Sequence, residues 1–268
     1  MPETEIVEST APDFESDYYF GACAVCGRTQ IFLRTARAIR ETYRCTGCNA
    51  SLREREQAQA ILGCFGGLRD RTLADLALQP AFRRRHIYEP GTIGPFRPLL
   101  AELPFYRQSD FYSEQQRAAA TEGIPHQSLE QLGYADATFD LVITSDILEH
   151  VRTPQRAFSE IARVLKPGGY HVCTVPLQDP LPEKSVVRID TRGSQDRPLL
   201  PEHYHGDGKG GRSLVYTDFG ADIVDMAAAA GFATALRRPH GASRIAGNAI
   251  TVVSQRITAS EPTAAEAV

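Results

Sequence analysis

Residues Phe139 to Pro176 read FDLVITSDILEHVRTPQRAFSEIARVLKPGGYHVCTVP. The stretch opens on a continuous apolar run, Leu141-Val142-Ile143, whose β-branched centre suits a strand buried on both faces of a parallel sheet. A polar turn at Ser145-Asp146 and a short segment, Ile147-Leu148-Glu149-His150, follow. Thr153 is placed to cap a helix, and Pro154 fits its first turn. Phe158, Ile161, Ala162 and Leu165 recur at helical spacing, so one face of that helix is apolar. Lys166 suits the last turn, and Pro167-Gly168-Gly169 reads as its stop. Tyr170 to Val175 is then a second strand. Strand, helix and strand in this order predict parallel strands joined by a right-handed crossover.

Many α/β proteins contain such a unit, but the letters here narrow the choice. Phe139-Asp140, Leu148-Glu149-His150, the run Arg163 to Gly169, and Val175-Pro176 stand in the order and spacing of one pattern. The stretch resembles the second half of class I S-adenosylmethionine-dependent methyltransferases, in their small-molecule, type 11-like branch. The resemblance implies an α/β fold: a doubly wound, mostly parallel seven-stranded sheet, Rossmann-like, with S-adenosylmethionine as cofactor. It runs from about Arg85 to Arg256, strongest at the centre.

The same resemblance places the cofactor. Ile87 to Gly94 falls at the first strand and its glycine loop, with Glu89, Gly91 and Gly94 as counterparts of an acidic residue and two glycines. Ile93 and Pro95 stand where the family has further glycines. Phe105 to Ser109 is the expected second strand, and Asp110 just past it would accept hydrogen bonds from the ribose hydroxyls, as in dinucleotide folds. Helix-prone Ser113 to Thr121 and a third strand, Ile124 to Gln127, follow. Ser128 and Leu129 lie at the adenine position, where relatives often carry an acidic residue. Ser145 lies at the carboxyl end of the fourth strand, where open α/β sheets bind ligands. His150 either acts on the acceptor, since its pKa lies near neutrality, or packs at the start of the helix.

The chain has 268 residues, enough by the usual ~100–200 residues per domain for one large domain, or one and a small module. Hydrophobic residues make up 42% and charged residues 23%, values of a globular protein with a sizeable core. The net charge of −4 gives the whole chain no footprint for nucleic acid. No run approaches a membrane span of roughly 18 apolar residues. The acidic start, MPETEIVESTAPDFESD, lacks the pattern of a signal peptide, so a cytoplasmic location is expected.

Six cysteines in a reducing compartment need a reason other than disulfides. Cys23 and Cys26, then Cys45 and Cys48, form two C-x2-C pairs separated by eighteen residues. Each pair can fold as a knuckle, with Gly27 and Gly47 supplying turn freedom. Four thiolates close the tetrahedral shell of a structural zinc; a redox pair, an iron–sulfur cluster or free thiols are the alternatives. Gln30 to Leu33 and Glu41 to Arg44 would be short strands of a zinc ribbon. Cys64 and Cys173 read as core residues. Ser51 to Phe65 is a helix with a capping box at Ser51 and Glu54, and Arg53-Glu54-Arg55-Glu56 reads as its solvated face. The basic run Arg83 to His86 reads as a solvated lead-in to a strand.

Leu177 to Ser213 is a long proline- and glycine-bearing insert. A connection of that length in a compact domain is functional or disordered, and it reads as an acceptor lid. His203 and His205 are candidate acceptor-binding or base residues, and with Asp207 they also invite a metal. Thr217 caps a helix reaching Ala230, with Phe219, Ile223, Met226 and Ala227 on one face. Phe232 to Arg237 and Ala249 to Gln255 close the sheet, the last strand antiparallel.

The expected organisation is therefore a tail over 1–17, a zinc ribbon over 18–50, a helical linker over 51–84, a methyltransferase domain over 85–257 with the lid at 177–213, and a tail over 258–268. The leading function is methyl transfer from S-adenosylmethionine to a small molecule, with no membrane and no nucleic acid as partner. One alternative is an RNA methyltransferase that reads RNA through Arg28, Arg34, Arg37, Arg40 and Arg44 of the ribbon. Another is a non-enzymatic zinc-bearing interaction module with a degenerate cofactor loop.

Overall fold

The computed structural model describes residues 16–67, 71–112, 123–193, 195–208, 210–239 and 249–258. The expected helix at Ser113 to Thr121 and most of both expected tails lie outside the described residues.

Three antiparallel strands come first: β1 (Tyr18–Ala22), β2 (Thr29–Leu33) and β3 (Arg44–Cys45). Glu41 belongs to a 3-10 turn, Ile39–Glu41, and not to the strand expected there. Two knuckles hold the cysteine pairs. The Gly27 N–H donates to the Cys23 carbonyl and the Asn49 N–H to the Cys45 carbonyl, with Gly27 and Asn49 both at positive φ. Asn49, and not Gly47, is thus the second hinge; asparagine tolerates left-handed backbone better than most residues.

Helix α1 (Leu52–Phe65) starts at the expected capping box. Such a cap contributes about 1 kcal/mol. Its Arg-Glu-Arg-Glu run, however, is not a solvated face: Arg53 and Arg55 are each 7% exposed. The helix is sandwiched between the three-stranded unit and the central sheet. Arg53 and Gln57, four residues apart, face the sheet, where Gln57 Nε2 donates to the carbonyls of Thr144 and Val172 at 3.1 and 3.2 Å. Arg55 faces the other way. Its guanidinium lies 3.7 Å from the centre of the Phe32 ring and donates to the Tyr19 hydroxyl and the Tyr43 carbonyl.

Short helices α2 (Leu73–Leu78) and α3 (Pro80–Arg83) lead into β4 (Ile87–Pro90), followed by α4 (Arg97–Leu100) and β5 (Tyr106–Ser109). The decisive stretch folds as β6 (Phe139–Ser145), a 3-10 turn at Leu148–His150, α5 (Pro154–Val164) and β7 (Leu165–Thr174). Thr153 precedes α5 as expected but makes no side-chain cap. Lys166 to Gly169 is strand and not helix stop. Gly168 takes positive φ, the register with β6 shifts between Phe139 and Leu141, and Lys166 Nζ reaches Asp140 at 2.7 Å.

The insert is not structureless. It carries β8 (Val186–Val187), β9 (Ile189–Asp190), β10 (Arg197–Pro198), β11 (Tyr204–Gly206) and β12 (Arg212–Leu214), and β13 (Thr217–Asp218) follows it. These pair as three small antiparallel ladders. Thr217 therefore sits in a strand and caps nothing; α6 (Ile223–Ala229) begins later. Strands β14 (Phe232–Arg237) and β15 (Thr251–Arg256) end the described fold.

The central sheet has the order β14-β15-β7-β6-β4-β5, six strands among the described residues where seven were expected. β5, β4, β6 and β7 are parallel, and β15 runs against both neighbours. The missing position is Ile124 to Gln127, which makes only a single parallel bridge, Asp110 to His126. Pro125 in that run has no N–H to give a ladder.

The faces of β6 and β7 alternate. Leu141, Ile143 and Val172 pack in one core with Ile61 of α1 and with Val25, Phe32 and Tyr43 of the three-stranded unit. Val142 and Cys173 pack in the other with Phe158, Ile161 and Ile223. The cysteine-bearing unit thus shares its core with the sheet. No helix among the described residues is long and apolar enough to cross a membrane.

Candidate active site

The chain leaves β4 for β5 on one side and later places β6 on the other, so the carboxyl ends of β4 and β6 flank the crevice where doubly wound sheets take ligands. The glycine loop expected to cradle the cofactor follows β4. Gly91 and Gly94 both have positive φ, and a side chain built on Gly91 would meet nothing within 4 Å. The loop leaves an open cradle beside the strand end. Asp110 lies alongside: Thr92 Oγ1 donates to its Oδ2 at 3.3 Å and the Phe111 N–H to its Oδ1 at 2.9 Å. Glu89 is buried and accepts from the Tyr106 hydroxyl at 2.8 Å. Burial outweighs that bond and pushes its carboxyl up to about 7.

The other sequence-derived cofactor positions divide. Ser128 Oγ accepts from the Glu130 N–H at 3.3 Å, within a local turn. Leu129 is 7% exposed, packed in the core with Tyr88. The Ser145 hydroxyl is directed at α1, donating to Gln57 Oε1 at 2.8 Å.

Asp146, just past β6, is held at positive φ, an uncommon state for a residue with a side chain. Arg40 grips it with both terminal nitrogens, at 2.6 and 2.9 Å, Arg53 Nε lies 3.3 Å away, and Thr174 Oγ1 donates at 2.9 Å. Burial opposes its ionisation, but the Arg53 and Arg40 guanidiniums prevail and hold the carboxyl well below the usual carboxylate range. Glu41 closes the network by accepting from both arginines. The cysteine-bearing unit and α1 thereby form one wall of the crevice. Sequence reasoning missed Arg40 and Arg53 as site residues and had set Arg40 on an RNA-reading surface; it is 7% exposed and turned inward.

Three residues on, Glu149 has no such escort. It is 1% exposed, and among the described residues neither carboxylate oxygen has a hydrogen-bond partner. Two imidazole nitrogens stand within 4 Å of it, His150 Nε2 at 3.7 Å and His205 Nδ1 at 3.8 Å. Burial pushes the Glu149 carboxyl up, and Glu149 in turn raises His205. The structure therefore brings His150 and His205 together, with ring centres 5.1 Å apart, and His203 stands 4.9 Å from His205. Asp207 does not join them; its carboxylate accepts from the Gly211 N–H in the hairpin turn. Glu149, His203 and His205, but not His150, border a cavity of about 470 Å³, lined also by Arg40, Leu177 and Asp218. The insert covers this side of the molecule. Its Tyr216 flank is tied to Glu149 by a backbone bond, and a side chain on Gly208 would lie 3.2 Å from Ile93 of the glycine loop.

The four cysteines of the knuckles form one cluster. Cys23 and Cys48 sulfurs are 3.6 Å apart and those of Cys26 and Cys45 3.9 Å. Four sulfurs at ~2.3 Å from one tetrahedral zinc stand roughly 3.8 Å from each other, so the spacing fits that ion. The hydrogen bond between Cys23 and Cys48 draws the Cys23 thiol down and pushes that of Cys48 up; thiolate is the form that ligates.

Comparison with known proteins adds the following. Residues 107–173 match the methyltransferase domain family. The match takes in β5, β6, α5 and most of β7, and so the crevice edge from Asp110 to Asp146. Among curated proteins, an uncharacterized methyltransferase of Schizosaccharomyces pombe is 46% identical over 46 residues, covering 17% of this chain and 16% of the relative. A protein of Mycolicibacterium smegmatis named a probable S-adenosylmethionine-dependent methyltransferase is 32% identical over 80 residues, covering 30% of this chain and 27% of its own length. The chain thus spans well under two thirds of these relatives. Among solved structures, an S-adenosylmethionine-dependent methyltransferase from Mesorhizobium loti aligns over 69% of this chain and 97% of its own, at 21% identity and a TM-score of 0.42.

Proposed function

We propose that this chain transfers a methyl group from S-adenosylmethionine to a small-molecule acceptor held in the cavity beside Glu149. The observation that carries this reading is the meeting of Gly91, Gly94 and Asp110 at adjoining strand ends, within and beside the methyltransferase-domain segment. S-adenosylmethionine supplies a methyl group activated by a sulfonium, so the protein's task is placement. Gly91 and Gly94 leave room for the aminoacid end, and Asp110 accepts from the ribose hydroxyls. Leu129 offers backbone to the adenine. The insert shuts water out of the cavity, and His150, His203 and His205 orient the acceptor or take its proton.

The small-molecule reading is favoured over RNA by the cavity's modest size, about 470 Å³, and by Arg40, which is engaged with Asp146 and is no part of a basic surface. In the same reading Cys23, Cys26, Cys45 and Cys48 hold a structural zinc, closed to chemistry. Calorimetry with S-adenosylmethionine, followed by displacement with S-adenosylhomocysteine, tests the central claim. Binding is expected, weakened by about 1–3 kcal/mol in Asp110→Ala, the loss of charge-assisted hydrogen bonds. No heat and no displacement would leave the non-enzymatic reading standing.

A further inference from the structure

Glu149 presents a puzzle that the cofactor site does not solve. A carboxylate with 1% exposure and two oxygens that find no hydrogen bond among the described residues is an arrangement that folding avoids. The groups that face it are a histidine from the same turn and one from the insert, 55 residues further along the sequence. His150 Nδ1 lies 2.8 Å from the Leu214 carbonyl, which can only accept. Nδ1 therefore carries the proton, and in the neutral ring the lone pair of Nε2 points toward Glu149. A lone pair set 3.7 Å from a carboxylate oxygen repels it unless a proton or a metal cation lies between.

We propose that Glu149, His150 and His205 bind a divalent transition-metal ion of the zinc class. The three donor atoms, Glu149 Oε1, His150 Nε2 and His205 Nδ1, lie within 4.8 Å of one another. Tetrahedral ligands at ~2.0–2.1 Å stand roughly 3.4 Å apart, and two of the three separations here are 3.7 and 3.8 Å. Those two exceed the tetrahedral value by a few tenths of an ångström, and the third separation, between the two imidazole nitrogens, lies within 4.8 Å. Two nitrogens and one carboxylate oxygen suit a borderline-soft ion, and three protein ligands leave one position open. The Leu214 carbonyl is the outer partner that fixes the tautomer of a ligating histidine. The site differs from the cysteine cluster, which has four ligands and no open position. It also differs from the His203-x-His205-x-Asp207 pattern, because Asp207 closes the hairpin turn instead.

Glu149 and His205 line the cavity, so an ion held between them would take an oxygen or nitrogen donor of the acceptor; this part rests on the methyl-transfer reading. Two of the three histidines then serve as ligands and not as bases, and exposed His203 remains at the mouth.

The test is zinc content per folded chain after dialysis against graded free zinc, read by mass spectrometry. Wild type is expected to bind a second equivalent beyond that held by the four cysteines. Glu149→Gln and His205→Gln should each weaken that second equivalent at least tenfold while the first is retained, which also reports that each variant is folded. Asp207→Asn should leave both unchanged. One zinc per wild-type chain at saturation overturns the proposal. So does a second zinc held equally well by Glu149→Gln, or one lost with Asp207→Asn. Calorimetry with S-adenosylmethionine on the same samples separates the two readings: failure to bind the nucleoside sinks methyl transfer and leaves the metal result intact, and the reverse holds equally.

Discussion

Asp146 and Glu149 are three residues apart on the same turn, at the same edge of the same sheet, and their surroundings are opposite. Asp146 receives Arg40, Arg53 and Thr174, brought from the cysteine-bearing unit, from α1 and from β7. Glu149 is the more deeply buried of the two, and its carboxylate receives no hydrogen bond among the described residues. Sequence distance therefore says nothing about role. A carboxylate whose lone pairs are all engaged by its own protein holds elements together. One left unengaged under cover is held ready for something else, since an unpaired buried charge costs several kcal/mol.

This contrast can be broken experimentally. Its largest expected effect is at Asp146. Asp146→Ala leaves two buried guanidiniums facing each other and should destabilise the fold by about 3–5 kcal/mol in denaturant unfolding. A loss under 1 kcal/mol would mean that the arginines find Glu41 or water instead. An intermediate case lies on β4. Glu89 has one donor, Tyr106, and titrates at about 7 in the fold against an ordinary value of 4.5. The folded state therefore takes up a proton between those values. Stability is full below about pH 4.5 and falls as pH rises through 7, by up to about 3 kcal/mol. Glu89→Gln should flatten that slope in melts run from pH 5 to 8; an unchanged slope would assign it to another group. The smallest effect is at Glu149. In metal-free protein at pH 8, Glu149→Gln should leave stability within about 1 kcal/mol of wild type or raise it, because a buried charge is removed while a polar group remains. Destabilisation as large as that of Asp146→Ala would mean that Glu149 has an engaged partner after all.

Which of these features the sequence could reveal follows from the range of the interactions. The strand at Leu141 to Ile143, the helix at Pro154, the capping box at Ser51 and the knuckles are local patterns, and each formed. The place of the Gly91 and Gly94 loop after a strand was legible, and its positive φ values are ones that glycine tolerates. Arg53 and Arg55 were misjudged because alternating charge normally marks a wet surface. Their partners at Asp146, Thr174, Tyr19 and Phe32 lie far away in the chain. Lys166 to Gly169 was misjudged because proline and glycine stop helices more often than they bend strands. The three histidines were each named, but nothing local indicated that the insert would fold back and set His205 against His150. Glu149 was read only as a letter of the Leu148-Glu149-His150 signature; that its side chain is covered and unengaged is a fact of tertiary packing.

The shared core of the cysteine unit and the sheet has a practical consequence. Val25 and Phe32 touch the same apolar mass as Leu141 and Val172, and Arg40 braces Asp146 from outside. Oxidising the thiols, or starving the protein of whatever ion they grip, would not shed an appendage. It would loosen the floor under the strands and remove the Arg40 prop from the crevice rim, so damage to thiols at the front of the chain should register as lost stability in a sheet that begins more than thirty residues later.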